Sequence, residues 1–189
     1  MRTQPARFLT PQAYLDWERL QETSHEYFDG EVYAMNGASR EHNLVCGNTF
    51  SALHTQLRGG PCEVYNNDMR VKVSETGMYT YPDISVACGQ PRFEDADVDT
   101  LLNPVLIVEV LSDSTERYDR GAKFAHYRNL PWLQDYLLVA QAEYRLEHYR
   151  RQDANHWLMS EYRALEDIAE LGSVNCRLPL ADMYERVPV

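Results

Sequence analysis

Residues Pro104-Val105-Leu106-Ile107-Val108-Glu109-Val110-Leu111 are the stretch that most narrows what this chain can become. Seven of them are apolar or strand-forming, and one carboxylate stands among them. An unbroken apolar run of this length reads as a strand covered on both faces. A carboxylate left without a partner in such a strand costs several kcal/mol or shifts its pKa strongly. Glu109 therefore meets a metal ion, a cation or a hydrogen-bond network, unless it stands at the strand's end and reaches solvent.

The rest of the pattern surrounds that strand with mixed structure. Thr10-Pro11 opens a helix that runs to about Leu20, with Thr as cap and Pro in the first turn. Tyr27 to Met35 reads as a hairpin about the Asp29-Gly30 turn. A second helix is expected from about Glu41 to Leu57, ended by Gly59-Gly60-Pro61. Strands follow at Val64 to Val73, Tyr81 to Ala87 and Val105 to Leu111. A helix is expected over Thr115 to Leu130, with Asp119, Lys123 and Tyr127 in an i, i+4 series. Asp135 to Ala140, Tyr144 to Arg150, Trp157 to Tyr162 and Cys176 to Leu180 read as further strands. The acidic stretch Gly89 to Asn103 reads as a solvated surface loop. The expected fold class is α/β, a mixed sheet flanked by helices.

A length of 189 residues suits one domain spanning 1–189. No apolar run approaches the roughly 20 residues needed to cross a bilayer. Met1 to Thr10 holds no apolar leader, so a soluble cytoplasmic protein with no membrane partner is expected. Cys46, Cys62, Cys88 and Cys176 are far apart and form no CxxC pair, which favours reduced thiols over zinc ligands or disulfides. The formal net charge of -11 argues against a protein that coats nucleic acid. It leaves room for one basic groove, or for a metal ion that reverses the sign of a carboxylate cluster.

Asp83, in Tyr81-Pro82-Asp83-Ile84-Ser85-Val86-Ala87, gives Glu109 a possible companion on a neighbouring strand. Two such carboxylates can hold one hard cation through oxygen, as Mg²⁺ prefers. Tyr81-Pro82-Asp83, Val108-Glu109-Val110-Leu111-Ser112-Asp113-Ser114-Thr115, and then Asp119, Lys123 and Tyr127 together resemble a restriction endonuclease family first catalogued as a domain of unknown function. That family lies in the PD-(D/E)XK nuclease superfamily. The likeness takes in Asp29-Gly30-Glu31 and His42 and runs from about Tyr27 to Arg150.

The resemblance implies a restriction endonuclease-like core, with Asp83 and Glu109 as ligands for Mg²⁺ or Mn²⁺ and DNA as substrate. It also implies a homodimer as a possible assembly. The usual half-motif would carry lysine at position 111, where this chain has Leu111. Lys123 is the migrated lysine that would orient the attacking water or stabilise developing charge; its alternative is an ordinary ion pair with Asp119. Glu31 is a candidate third carboxylate, and His42 a candidate for contacting substrate phosphate or positioning a site carboxylate. The leading expectation is a metal-dependent DNA endonuclease. The alternative is a non-catalytic module of the same fold that binds nucleic acid or a protein partner.

Overall fold

Thr10 accepts the Ala13 amide at 3.2 Å and so caps α1 (Pro11–Glu18), with Pro11 in the first turn. The helix stops two residues short of Leu20, and Arg19 is its C-cap. Asp29 (φ 49°) and Gly30 (φ 85°) both adopt left-handed backbone between β1 (His25–Phe28) and β2 (Glu31–Ala34). That is the turn an Asp-Gly pair favours in a tight hairpin. The computed structural model describes residues 9–35 and 37–189. The reading of the extreme N-terminus as lacking an apolar leader rests mainly on residues 1–8, outside those described.

Two sheets organise the molecule. The larger contains β3 (Cys62–Asn66), β6 (Ile84–Cys88), β8 (Leu106–Leu111), β9 (Asp135–Ala140), β10 (Leu146–Arg151) and β11 (Trp157–Tyr162), in the order β11-β10-β9-β8-β6-β3. Only β8 and β9 run parallel in it. The smaller sheet adds β4 (Arg70–Val73), β5 (Met78–Thr80) and β7 (Thr100–Leu101) to the hairpin, in the order β2-β1-β5-β4-β7. One continuous strand from Val64 to Val73 was expected. The chain instead turns between Asn66 and Met69, and its two halves enter different sheets.

All six residues of β8 are buried, because each face of its sheet is covered. Leu106, Val108 and Val110 share one core with residues of α2 (Arg40–Leu57), of the hairpin β12 (Ile168–Leu171) and β13 (Cys176–Pro179), and of α5 (Leu180–Met183). Ile107 and Leu111 share the other core with Val71, Met78 and Tyr127. The single helix expected over Thr115 to Leu130 is in three parts: α3 (Glu116–Tyr118), a π-helical turn (Asp119–Lys123) and α4 (Phe124–Tyr127). Wide turns of this kind recur inside helices at functional sites.

Two further expectations are corrected. Cys62 and Cys88 form a disulfide, while Cys46 and Cys176 stay free. Antiparallel pairing of β3 with β6 sets Cys62 directly opposite Cys88, a proximity that spacing along the chain does not reveal. The acidic stretch Gly89 to Asn103 is not simply solvated. It contributes β7, and Asp95, Asp97 and Asp99 all close on Arg19.

Candidate active site

Alternation along β8 sends Glu109 to the face covered by the π-helical turn and α4. There the Lys123 ammonium lies 2.8 Å from Glu109 Oε1, and the Tyr127 hydroxyl donates to the same oxygen at 2.8 Å. Lys123 Nζ is also 3.1 Å from Glu26 Oε1 and 3.7 Å from Asp119 Oδ1. The i, i+4 pair with Asp119 is thus the longest of its three contacts. Thr80 donates to Glu26 Oε1 at 2.5 Å and ties that carboxylate to β5.

Asp83 immediately precedes β6, since the strand begins at Ile84 and not at Tyr81. Its Oδ2 accepts the Val110 amide at 2.7 Å, which anchors it beside Glu109 along the backbone. His42 reaches the same oxygen with Nε2 at 3.3 Å from the first turn of α2, where Ser39 is the cap. Cys46, one turn further along α2, sits 3.9 Å from the Asp83 carbonyl. Glu109 and Lys123 are almost fully buried, while the side chains of Asp83, His42 and Glu26 keep 14%, 16% and 14% exposure. The cluster meets solvent at Asp83, His42 and Glu26.

The electrostatics record a deficit of positive charge. Burial pushes Glu109 up to about 8, and the charges of Asp119 and Asp83 add to it against the pull of Lys123. Asp119 is raised by burial and by Glu26 and Asp83, with Lys123 and Thr115 opposing. Burial works against the Lys123 charge, but Glu109, Glu26 and Asp119 outweigh it and hold the ammonium well above its ordinary range. His42 is raised too: burial opposes its charge, and Asp83, Val110 and Asp119 prevail. Burial, then Asp83 and Glu109, push the Cys46 thiol up to about 12, so it is no nucleophile here.

Glu31, the candidate third carboxylate, is engaged with the Tyr33 hydroxyl. No hydrogen bond or ion pair among the described residues joins it to Asp83, Glu109 or Lys123. Glu26, on the neighbouring strand of the hairpin, is the carboxylate that reaches Lys123. The sequence carries a weak signal for it: Glu26 lies in the same hairpin, one residue before Tyr27.

Four carboxylates thus gather about one buried ammonium, with Asp83 on the open side. Among the described residues no three His, Cys, Asp or Glu side chains already surround a common point as a metal cage would. A magnesium site needs less, because that ion is commonly held by one or two carboxylates, its remaining positions filled by water and phosphate. The hydrogen bonds and ion pairs described for Glu109 and Asp83 fall on Oε1 and Oδ2. Asp83 and Glu109 would be the residues to hold a hard cation, whose charge would offset that of the carboxylates.

The family model described as "Putative restriction endonuclease" (Uma2) matches residues 11–180. The chain belongs to the Uma2 family. Two uncharacterised proteins of Synechocystis sp. are similar along most of the Uma2 chain. One is 41% identical over 176 residues, covering 93% of this chain and 91% of the relative. The other is 37% identical over 155 residues, covering 82% and 88%. The crystal structure of a "putative nuclease belonging to DUF820" from Anabaena variabilis superposes with a TM-score of 0.75. That match covers 95% of this chain and 99% of the other at 16% identity, which establishes a shared fold. The mixed α/β architecture is restriction endonuclease-like, and family and fold together support a nuclease. Among the described residues no helix is long and apolar enough to cross a membrane.

Proposed function

We propose that this Uma2 protein is a Mg²⁺-dependent DNA endonuclease in which Asp83 and Glu109 hold the metal and Lys123 assists the hydrolytic water. The observation that carries the reading is the Lys123 ammonium, 2.8 Å from a glutamate inside a strand buried on both faces. An apolar pair would often be at least as stable there, so the two buried charges are weak evidence for a purely stabilising role. Mn²⁺ suits the same oxygen donors.

When bound, the ion supplies Lewis-acid polarisation of a phosphoryl oxygen and of water. The chain's own residues do the remainder. Asp83 and Glu109 would hold the ion, Asp83 from the rim and Glu109 from the buried strand. Lys123, held charged by Glu109, Glu26 and Asp119, presents a donor that orients water and faces the negative charge that develops on the phosphate. Tyr127 holds Glu109 in place, and Glu26 holds Lys123. His42, at the exposed edge of Asp83, positions that carboxylate and stands where a substrate phosphate would arrive.

The test is cleavage of plasmid and linear duplex DNA with Mg²⁺, Mn²⁺ and chelator, for the parent, Asp83→Asn, Glu109→Gln and Lys123→Ala. The reading requires metal-dependent cleavage by the parent and its loss in each variant. Cleavage that survives Lys123→Ala would return that lysine to a structural role. The second reading, a non-catalytic module of the same fold, is favoured by the net charge of -11 and by Leu111 at the position where the half-motif carries lysine. It requires no cleavage under any of these conditions.

A further inference from the structure

A second cluster lies two strands from β8 and on the opposite face of the sheet. Register sets His148 opposite Leu137 of β9, whose side chain is in the core with α2, whereas Glu109 is opposite Leu138, which faces the other core. Leu146, His148 and Arg150 share that first face of β10 by alternation. Ser160 and Tyr162 of β11 are their cross-strand neighbours. The β12–β13 hairpin leans over this corner and leaves a hollow of about 310 Å³. His148, Arg150, Ser160, Tyr162, Ile168 and Glu170 line it.

What stands behind the hollow is more constructed than a surface groove needs. His148 is nearly fully buried, and its Nε2 lies 2.6 Å from Oδ1 of Asp135, a carboxylate with no exposed surface. The other oxygen of Asp135 accepts from Ser173, in the turn between β12 and β13. One buried carboxylate therefore orients the imidazole and ties down the hairpin that forms the far wall. Holding one ring nitrogen by a buried carboxylate leaves the other for a ligand, the arrangement used where a histidine must face its target in one orientation.

The lining is rich in donors: an imidazole, a guanidinium and two hydroxyls against one carboxylate, Glu170, which has Arg177 3.5 Å away. Arg150 is exposed and makes no ion pair among the described residues. Cations are ill served here, since Glu170 is the one carboxylate in the lining. A tetrahedral oxyanion suits the fork of Arg150 beside an imidazole and two hydroxyls. We infer that this hollow is a second ligand site, which takes a phosphate group on His148 and Arg150, with Ser160 and Tyr162 as further donors. The phosphate is carried either by a small molecule such as a nucleotide or by a nucleic-acid backbone. This inference does not rest on the metal-site reading.

The experiment follows the histidine ring resonances of the full-length protein by NMR in chelator. It adds inorganic phosphate, a deoxynucleoside monophosphate and a short DNA duplex separately, at constant ionic strength. The expected result is a saturable shift of the His148 ring that is unchanged in Asp83→Asn. In Arg150→Glu, an exposed position where folding is not at stake, binding should weaken about tenfold or more through loss of a charge-assisted contact. A response to phosphate and nucleotide marks a small-molecule site, and a response to the duplex alone marks a backbone contact. The inference is overturned if no probe moves His148, if Arg150→Glu binds like the parent, or if Asp83→Asn abolishes the response.

Discussion

Two acidic clusters in this molecule meet opposite fates. At the tip of the smaller sheet, Asp95, Asp97 and Asp99 close on Arg19 at 2.7, 2.8 and 2.8 Å, and Arg70 adds a second guanidinium 2.8 Å from Asp99. Arg19 holds Asp95 below the usual carboxylate range. Burial opposes the Asp99 charge, yet Arg19, Arg70 and Thr100 draw that group lower still. At the centre, Glu26, Glu109 and Asp119 share the single ammonium of Lys123, with Asp83 at the rim, and Glu109 and Asp119 are pushed up instead. The first cluster is complete and staples a loop to α1. The second is buried and sets three carboxylates against one ammonium, and strongly shifted groups of this kind cluster at functional sites. The direction of the shift separates the two where residue type does not.

The comparison breaks most visibly at the two cations. Lys123→Ala strands three carboxylates in a buried site and should destabilise the protein in chelator by about 3–5 kcal/mol, with Mg²⁺ restoring part of the loss. Urea unfolding with and without metal measures both. Arg19→Ala opens a half-exposed staple, where solvent screens the pairs, and should cost only about 1–2 kcal/mol. That loss should shrink in high salt and be indifferent to Mg²⁺. A larger loss from Arg19→Ala than from Lys123→Ala would invert the account.

Acid and base sharpen the contrast. Glu109 binds its proton more tightly in the folded state, so stability in chelator should fall as pH rises from the ordinary carboxylate range towards about 8. Asp95 and Asp99 are held low, so their contribution is present above the ordinary carboxylate range and is lost as pH falls below it. Melting temperature against pH should therefore peak on the acid side of neutrality in chelator. Mg²⁺ should flatten the upper limb and leave the acid limb alone. A profile that metal does not alter would remove the central cluster from the explanation.

What the sequence made legible follows the range of the signal. Asp29-Gly30, Thr10-Pro11 and the run through Glu109 are local, and the elements appear where they predict. Periodicity also placed Lys123 on a helix near Tyr127, but not the π-helical turn that ends at it. Asp83 was placed beside the Glu109 strand, but other pairings across the fold were hidden. Cys62 and Cys88 are 26 residues apart and meet only through strand register. Asp95, Asp97 and Asp99 look like a solvated run until α1 brings Arg19 to them. Glu26 joins Lys123 across 97 residues of chain, because β1 pairs with β5 at Tyr27 and Tyr79. The (D/E)XK pattern was visible only as a resemblance, since position 111, where its lysine would stand, holds Leu111, which packs in the core.

The smallest effect of substitution gives the most direct test. Asp83→Asn keeps an oxygen for the Val110 amide and removes one charge from a cluster that has too many. In chelator the variant should hold or raise the melting temperature of the parent. Mg²⁺ should then raise the parent alone, by mass action worth about 2.7 kcal/mol at a hundredfold excess over Kd, and leave the variant where it was. Paired melting curves, parent and variant with and without millimolar Mg²⁺ or Mn²⁺, decide the matter. A parent that does not respond to either metal, or a variant clearly destabilised in chelator, would contradict a metal site at Asp83 and Glu109.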